Sequence, residues 1–292
     1  LAPPDFAGWS HRAESVVEEA CSSMNGTQTL EVRNLTFATG ANVPRHWHGG
    51  RRSVTRFLDN LSIFFPEGER FFVMSVQAHR HLVENDPVLK KLVRDFCGQE
   101  GIHGREHRRY NEMLREQGLP VDEMERSVVW ILKRARRGLP LRTQLAVTAA
   151  LEHFTALMGH LILAKPALLE GAHPEMAALW RWHAAEENEH KAVAFDVYLK
   201  AGGNYAERSV IMLAATAVFW AKVLEFQARM MAEDGDALSA REWARLVRFL
   251  FVEPGGMQDV WRLWADWFRP GFHPNDIDSE GAIAAWQASA GA

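Results

Sequence analysis

The sequence predicts an all-α protein: a bundle of four long helices with one crossover helix and additional helices toward the C-terminal end. Three observations lead there. From Leu58 onward apolar residues recur at steps of three and four, the period of a helix with one buried face. The breaks in that pattern are turn formers: Glu84-Asn85-Asp86-Pro87, Gly118, Gly138-Leu139-Pro140, Pro166 and Gly202-Gly203. Two of the predicted helices carry a Glu-x-x-His pair inside an otherwise apolar stripe. At 292 residues, 47% of them hydrophobic, the chain can bury a sizeable core, and no internal repeat or long polar linker divides it. Residues 1–57 read as an N-terminal arm with little regular structure, and residues 58–292 as a single helical unit.

Each element has its own warrant. Residues 27–55 mix Gly, Pro and Asn with one alternating run around Leu30 to Phe37, which predicts a short strand or an extended arm. His46 and His48 flank Trp47 there; beside an aromatic in a loop, they read as structural. A first helix is expected from about Pro66 to His81, a second from about Val88 to Gln117, and a crossover helix from about Val121 to Arg137. A fourth runs from Leu141 to Ala164, before Pro166, and another from about Pro174 to Gly202. Segments 204–232, 239–252 and 257–269 supply the rest, the last one rich in Trp (Trp261, Trp264, Trp267).

Composition narrows the function. Lys and Arg number 33 against 37 Asp and Glu, a formal charge of −4, which argues against a nucleic-acid partner. Two cysteines, Cys21 and Cys97, make no disulfide framework, and the opening residues show no charged start followed by an apolar run. The most apolar stretch, Val210 to Trp220, is shorter than the roughly 20 residues a spanning helix needs, so it reads as a buried core helix. These features predict a cytoplasmic protein without a transmembrane segment.

The chemistry lies in the stripes. The second helix aligns Leu89, Leu92, Phe96, Glu100, His103, His107 and Tyr110, and the helix from Pro174 aligns Trp180, His183, Glu187, His190 and Val197. Each aims one Glu-x-x-His pair inward, Glu100/His103 and Glu187/His190. The fourth helix adds Glu152 between Ala149 and Ala156. In the first helix Glu67 lies on a polar face, whereas Glu69 lies in line with Phe72, Val73 and Val76, so Glu69 is the inward one. Glu69 and Glu100 are equidistant from the Glu84–Pro87 break, and Glu152 and Glu187 from the Leu168–Pro174 break. Two antiparallel pairs therefore bring four carboxylates and two imidazoles to one level. Buried together they repel, and no Lys or Arg shares the stripes; two divalent cations would cancel the four charges. His183 offers a third imidazole, or else a core histidine bonded to a backbone carbonyl. Glu186 and Gln99 are expected to hold the outer ring nitrogens of the opposite histidines, with His107 beside them. Gly98, Gly101 and Gly104 surround Glu100, for close helix approach or a bulge.

This ligand set resembles the ferritin-like di-iron carboxylate superfamily. The added His183 is similar to the extra ligand of di-iron arylamine N-oxygenases. More closely, LSIFFPEGERFF (61–72), FCGQEGIHGREHRRYN (96–111), ALEHFTA (150–156) and WHAAEENEHKAVAFDVY (182–198) resemble a bacterial family labelled "predicted metal-dependent hydrolase", from about Arg45 to GFHPNDID (271–278). Ribonucleotide reductase small subunits carry a radical tyrosine where this chain has His107, which lowers a radical-generating role. The resemblance implies two iron ions, with manganese or zinc as substitutes, and O2 as co-substrate. It implies oxygenation or oxidation of a small organic substrate, hydrophobic or amine-bearing, and an external electron donor such as a ferredoxin or reductase. Ala149, Ala156 and Gly159 would leave room for that substrate. The alternative is a hydrolase using a metal-activated water, either at two metals or at a single zinc on His103 and His107, with Glu106 of HGREH as base. Iron oxidation and storage is a third reading. The apolar 210–220 segment and the Trp-rich tail fit a hydrophobic substrate or a homodimer interface as well as core packing.

Overall fold

The computed structural model describes residues 30–290. Cys21, the opening residues read for a leader and the first part of the expected arm lie outside them. Among the described residues the chain is helical with short turns, and its β pairing is one isolated bridge, His48 with Ala172. The fold is all-α, as the periodicity predicts.

Helix α1 spans Arg52–Gln77 and α2 spans Pro87–Glu116. Asp86 caps α2 by accepting from Leu89 N at 3.0 Å, with Pro87 in the first turn where its missing N–H costs nothing. The crossover helix α3 is Val121–Gly138, α4 is Leu141–Ala164 and α5 is Pro174–His190. After these come α6 (Val193–Lys200), α7 (Tyr205–Glu233), α8 (Ala240–Phe251), α9 (Met257–Asp266) and α10 (Glu280–Ala290). α1 packs along α2 and α4 along α5, while α1 also touches α4 and α2 touches α5, so the four enclose a common interior. α3 crosses over α1, and α7 lies across α1 and α4.

Four expectations need correction. The first helix starts at Arg52 rather than near Pro66, which sits inside it. A proline there removes the N–H that would bond the Ser62 carbonyl, and Asn111 Nδ2 of α2 bonds that oxygen instead, at 3.3 Å. Of the strand or extended arm expected around Leu30–Phe37 the strand is not formed and the arm is, with Phe37 N bonded to Glu106 at 3.0 Å, Ala38 N to Glu175 at 2.9 Å and Leu35 N to Arg33 O at 2.9 Å. The helix from Pro174 is interrupted at Lys191-Ala192, where the Lys191 amine is buried against Ile277 O and Ser279 Oγ. Finally, α7 is no buried core helix. It buries Met212, Val223, Phe226 and Met230 and leaves the opposite side of its apolar stretch outside. The Trp-rich tail is core packing: Trp261 lies 5.5 Å from Trp220, and Trp267 Nε1 donates to Arg208 O at 3.2 Å.

Candidate metal centre

Glu69 of α1, Glu100 and His103 of α2, Glu152 of α4, and His183, Glu187 and His190 of α5 come together inside the helices, none more than 3% exposed. His190 Nε2 lies 3.0 Å from Glu100, 3.4 Å from Glu152 and 3.6 Å from Glu187. His103 Nδ1 lies 3.6 Å from Glu187 and 4.0 Å from Glu100. His183 Nε2 is 2.7 Å from Glu187 and 3.9 Å from Glu69. Three overlapping groups, Glu69/Glu100/His103, His103/His183/Glu187 and Glu100/Glu187/His190, each have donor atoms close enough to share one ion. Glu67, the rejected alternative, is half-buried and pairs with Arg70 at 3.6 Å.

The outer nitrogen of each imidazole is occupied, which turns the other nitrogen inward. Glu186 Oε2 accepts from His103 Nε2 at 2.9 Å, and Gln99 Oε1 accepts from His190 Nδ1 at 2.9 Å. The Gln99 amide is oriented because its Nε2 donates to Glu31 O and Glu189. His183 is fixed through a longer chain. Glu125 accepts from Asn111 Nδ2 at 3.1 Å, so Asn111 Oδ1 is left to accept from Ser62 Oγ at 2.8 Å. Ser62 has then given its one proton and accepts from His107 Nδ1 at 2.9 Å, so His107 Nε2 accepts from His183 Nδ1 at 2.6 Å. The Nε2 edge of His183 is thereby turned inward, 2.7 Å from Glu187 and 3.9 Å from Glu69. Outer partners of this kind set the tautomer and raise the basicity of an imidazole that binds a metal.

The electrostatics show what the cluster lacks. Burial, then the Glu100 charge, raises Glu69 well above the ordinary carboxylate range and pushes Glu152 up to about 8. Burial also raises Glu100. It works equally against Glu187, but the imidazoles of His103, His183 and His190 around it outweigh it and hold that carboxylate well below. Burial opposes the charge on His103 too, yet its bonds to Glu186 and Glu187 raise it to about 10, while burial and His103 lower His183 to about 4. The cluster thus retains protons where it lacks a fixed cation. Both carboxylate oxygens of Glu69, Glu100 and Glu152, Oε2 of Glu187, His103 Nδ1 and His190 Nε2 are buried without an aligned hydrogen-bond partner. Buried polar atoms are rarely left so, and these all converge on one interior. The donor set is carboxylate and imidazole without thiolate, which suits divalent iron, manganese or zinc. The residues present fit a divalent metal.

A family model described as "Predicted metal-dependent hydrolase" matches residues 31–278, a span that includes every residue of this cluster. The chain belongs to the predicted metal-dependent hydrolase family. Comparison with curated proteins and with solved structures gave no match.

For a member of this family, the neighbouring residues divide clearly. His107 lies beside the cluster, its donor atoms within reach of Glu69 and His183. Glu106 points away, accepting from Phe37 N and paired with Arg105 and Arg109, so it does not stand as a base between His103 and His107. His48 bonds Leu168 O and His46 pairs with Asp234, both structural. The space at Gly159 is taken by α5: an added methyl would meet Ala184 O and Asn188 Nδ2 at 2.9 Å, which corrects its reading as substrate room. Gly104 serves close approach, since a methyl there would meet Glu69 Oε2 at 3.0 Å, and α2 continues without a bulge. Sequence reasoning missed Arg33, whose guanidinium holds Glu186 at 3.2 Å and Glu189 at 2.8 Å. It also missed Phe65, 4.5 Å from the His107 ring and 4.4 Å from that of His183, and Trp182, 4.8 Å from His103. An arginine on an irregular arm carries no periodic signal; the two aromatics read as ordinary core.

Proposed function

We propose that the chain is a dinuclear metalloenzyme of the ferritin-like type, in which Glu69, Glu100, Glu152, Glu187, His103, His183 and His190 hold two divalent cations. The observation that carries this reading is the set of buried carboxylate oxygens that have no partner and no Lys or Arg among them. The reaction that the family description supports is hydrolysis. Bound cations of this kind lower the pKa of a coordinated water toward neutrality and polarise a carbonyl or phosphoryl oxygen.

The chain's own residues supply the setting. Glu186, Gln99 and the Asn111–Ser62–His107 chain orient the three imidazoles. Phe65, Phe96 and Trp182 pack against those rings and keep bulk water out, which strengthens every charge interaction inside. His107, held neutral by burial and by His183, adds no charge to the site. Glu69 and Glu152, the carboxylates most in need of a counter-charge, come from the helices that carry no Glu-x-x-His pair.

The second reading, O2-dependent oxidation at two irons with an external electron donor, is favoured by the donor set itself. Two Glu-x-x-His pairs with two further Glu are the ligands of ferritin-like di-iron and di-manganese sites. The two readings separate when protein loaded with zinc, manganese or iron(II) is assayed with and without oxygen on ester, amide, phosphoester and amine substrates. Turnover with zinc under nitrogen supports hydrolysis. Turnover only with iron and O2, and O2 consumed in proportion to product, supports oxidation. Failure to retain any divalent metal would refute both.

A further inference from the structure

α3 and α7 both pack on α1. They run antiparallel and are tied at both ends: Arg229 of α7 donates to Glu123 of α3 at 3.2 Å, and Arg142, just past α3, donates to Glu207 at 2.9 Å. Each presents an outward face that no described residue covers. On α7 this face is an apolar stripe at helical spacing: Val210 is 63% exposed, Leu213 54%, Val218 48% and Leu224 59%, with alanines between them. No charged residue falls between Arg208 and Lys222. On α3, Trp130 is 60% exposed with the Arg134 guanidinium 4.9 Å from its ring. The last turns of α3 add exposed Lys133, Arg136 and Arg137, and none of these four cations has an acidic partner among the described residues.

We propose that this flank docks on an anionic lipid bilayer, with the α7 stripe at the headgroup–acyl boundary and the α3 cations against lipid phosphates. An exposed apolar stripe, a tryptophan and unpaired cations on helices tied together at their ends are features of a surface that lies in a membrane interface. The charge is complementary to anionic lipid although the whole chain carries −4. A nucleic acid would answer the cations but not the stripe, and the test separates a second copy from a bilayer. The flank lies on the bilayer and does not cross it, even though α7 is long and apolar enough by length and composition alone. α7 is held in the fold by Arg208 on Trp267 O and Arg269 O, and by Gln227, which donates to Ser53 O at 2.9 Å. The proposal does not rest on the metal centre.

The test is flotation of the full chain with phosphatidylcholine vesicles that contain or lack phosphatidylglycerol. Flotation with the anionic vesicles, weakening as salt rises, is the expected result. The combined K133Q, R134Q and R137Q variant should partition about a hundredfold more weakly, at about fivefold per removed cation. The Leu213→Ser, Leu224→Ser variant should lose binding that salt does not affect. All five positions are exposed, and melting curves identify any variant that fails to fold. Absence of flotation by the unsubstituted chain overturns the proposal. So does a dimer in sedimentation that Leu213→Ser dissociates, or equal flotation by the triple variant.

Discussion

Two buried polar clusters lie along α1, and they are opposite in kind. Near its start, Arg56 donates to Asp59 at 2.7 Å and to Asp234 at 2.7 Å, Arg45 adds a second cation to Asp234 at 2.9 Å, and Trp47 and Tyr110 both donate to Asp59. Charges cancel there, and the bound carboxylate oxygens have donors. About three turns past Asp59 the chain reaches the second cluster, where Glu69 meets three more carboxylates with no Lys or Arg among them and with most oxygens unpartnered. The first cluster fastens the arm and the end of α7 to α1. The second is built for something the polypeptide does not supply. Burial alone does not distinguish a scaffold from a site; the balance of charge and donors does.

The contrast breaks first at Arg56. Arg56→Ala leaves Asp59 and Asp234 without their shared cation, and we expect a loss of about 3–5 kcal/mol in denaturant unfolding, with metal content unchanged when folded. Glu152→Gln should behave in the opposite way. In metal-free protein it should be neutral at low pH. Between pH 4.5 and 8 it should stabilise by about 1.4 kcal/mol per unit and then level off, because the variant has no carboxylate that ionises more readily in the unfolded chain. Its cation affinity should fall by more than the roughly 100-fold that losing an outer partner can cause. Calorimetric metal titration and unfolding at two pH values measure both effects.

Smaller effects sharpen the comparison. Glu186→Gln and Asn111→Leu leave every proposed ligand in place but release the far nitrogen of His103 or the relay to His183, so metal affinity should fall about 10–100-fold, and Asn111→Leu should also cost about 1–3 kcal/mol for the Ser62 groups it leaves unpaired. The pH profile of the metal-free protein should be lopsided. Glu152, raised to about 8 when folded, holds its proton more tightly than in the unfolded chain, so its stabilisation is full below about 4.5 and lost as pH rises through 8. Glu69 and Glu100 have the same sign, and His103, raised to about 10, extends the loss upward. His183, lowered to about 4, acts oppositely: its contribution is lost as pH falls from 6.5 to 4. Melting temperature should therefore decline from pH 6.5 to 9 without metal, and metal should bind more tightly over the same range, releasing protons.

The periodic parts of the molecule were legible in the sequence. Glu100/His103 and Glu187/His190 stand out because a carboxylate and an imidazole three apart interrupt apolar stripes, and turn midpoints brought Glu69 and Glu152 to the same level. What lacked a period was harder to read. Pro66 looked like a helix start because proline ordinarily is one; the compensating donor, Asn111, lies 45 residues away on another helix. Arg33 belongs to an arm without regular backbone pairing, so neither helix nor strand patterning marks it. α7 looked like core because its sequence is apolar on every side, and composition does not say which side the fold uses.

The central claim is that the four carboxylates share two cations. It is tested most directly by a metal-edge anomalous map of crystals grown with iron or manganese. Two peaks about 3.5–4 Å apart among Glu69, Glu100, Glu152 and Glu187 are predicted. A single peak at His103 and His107, or no peak within reach of these residues, would contradict it.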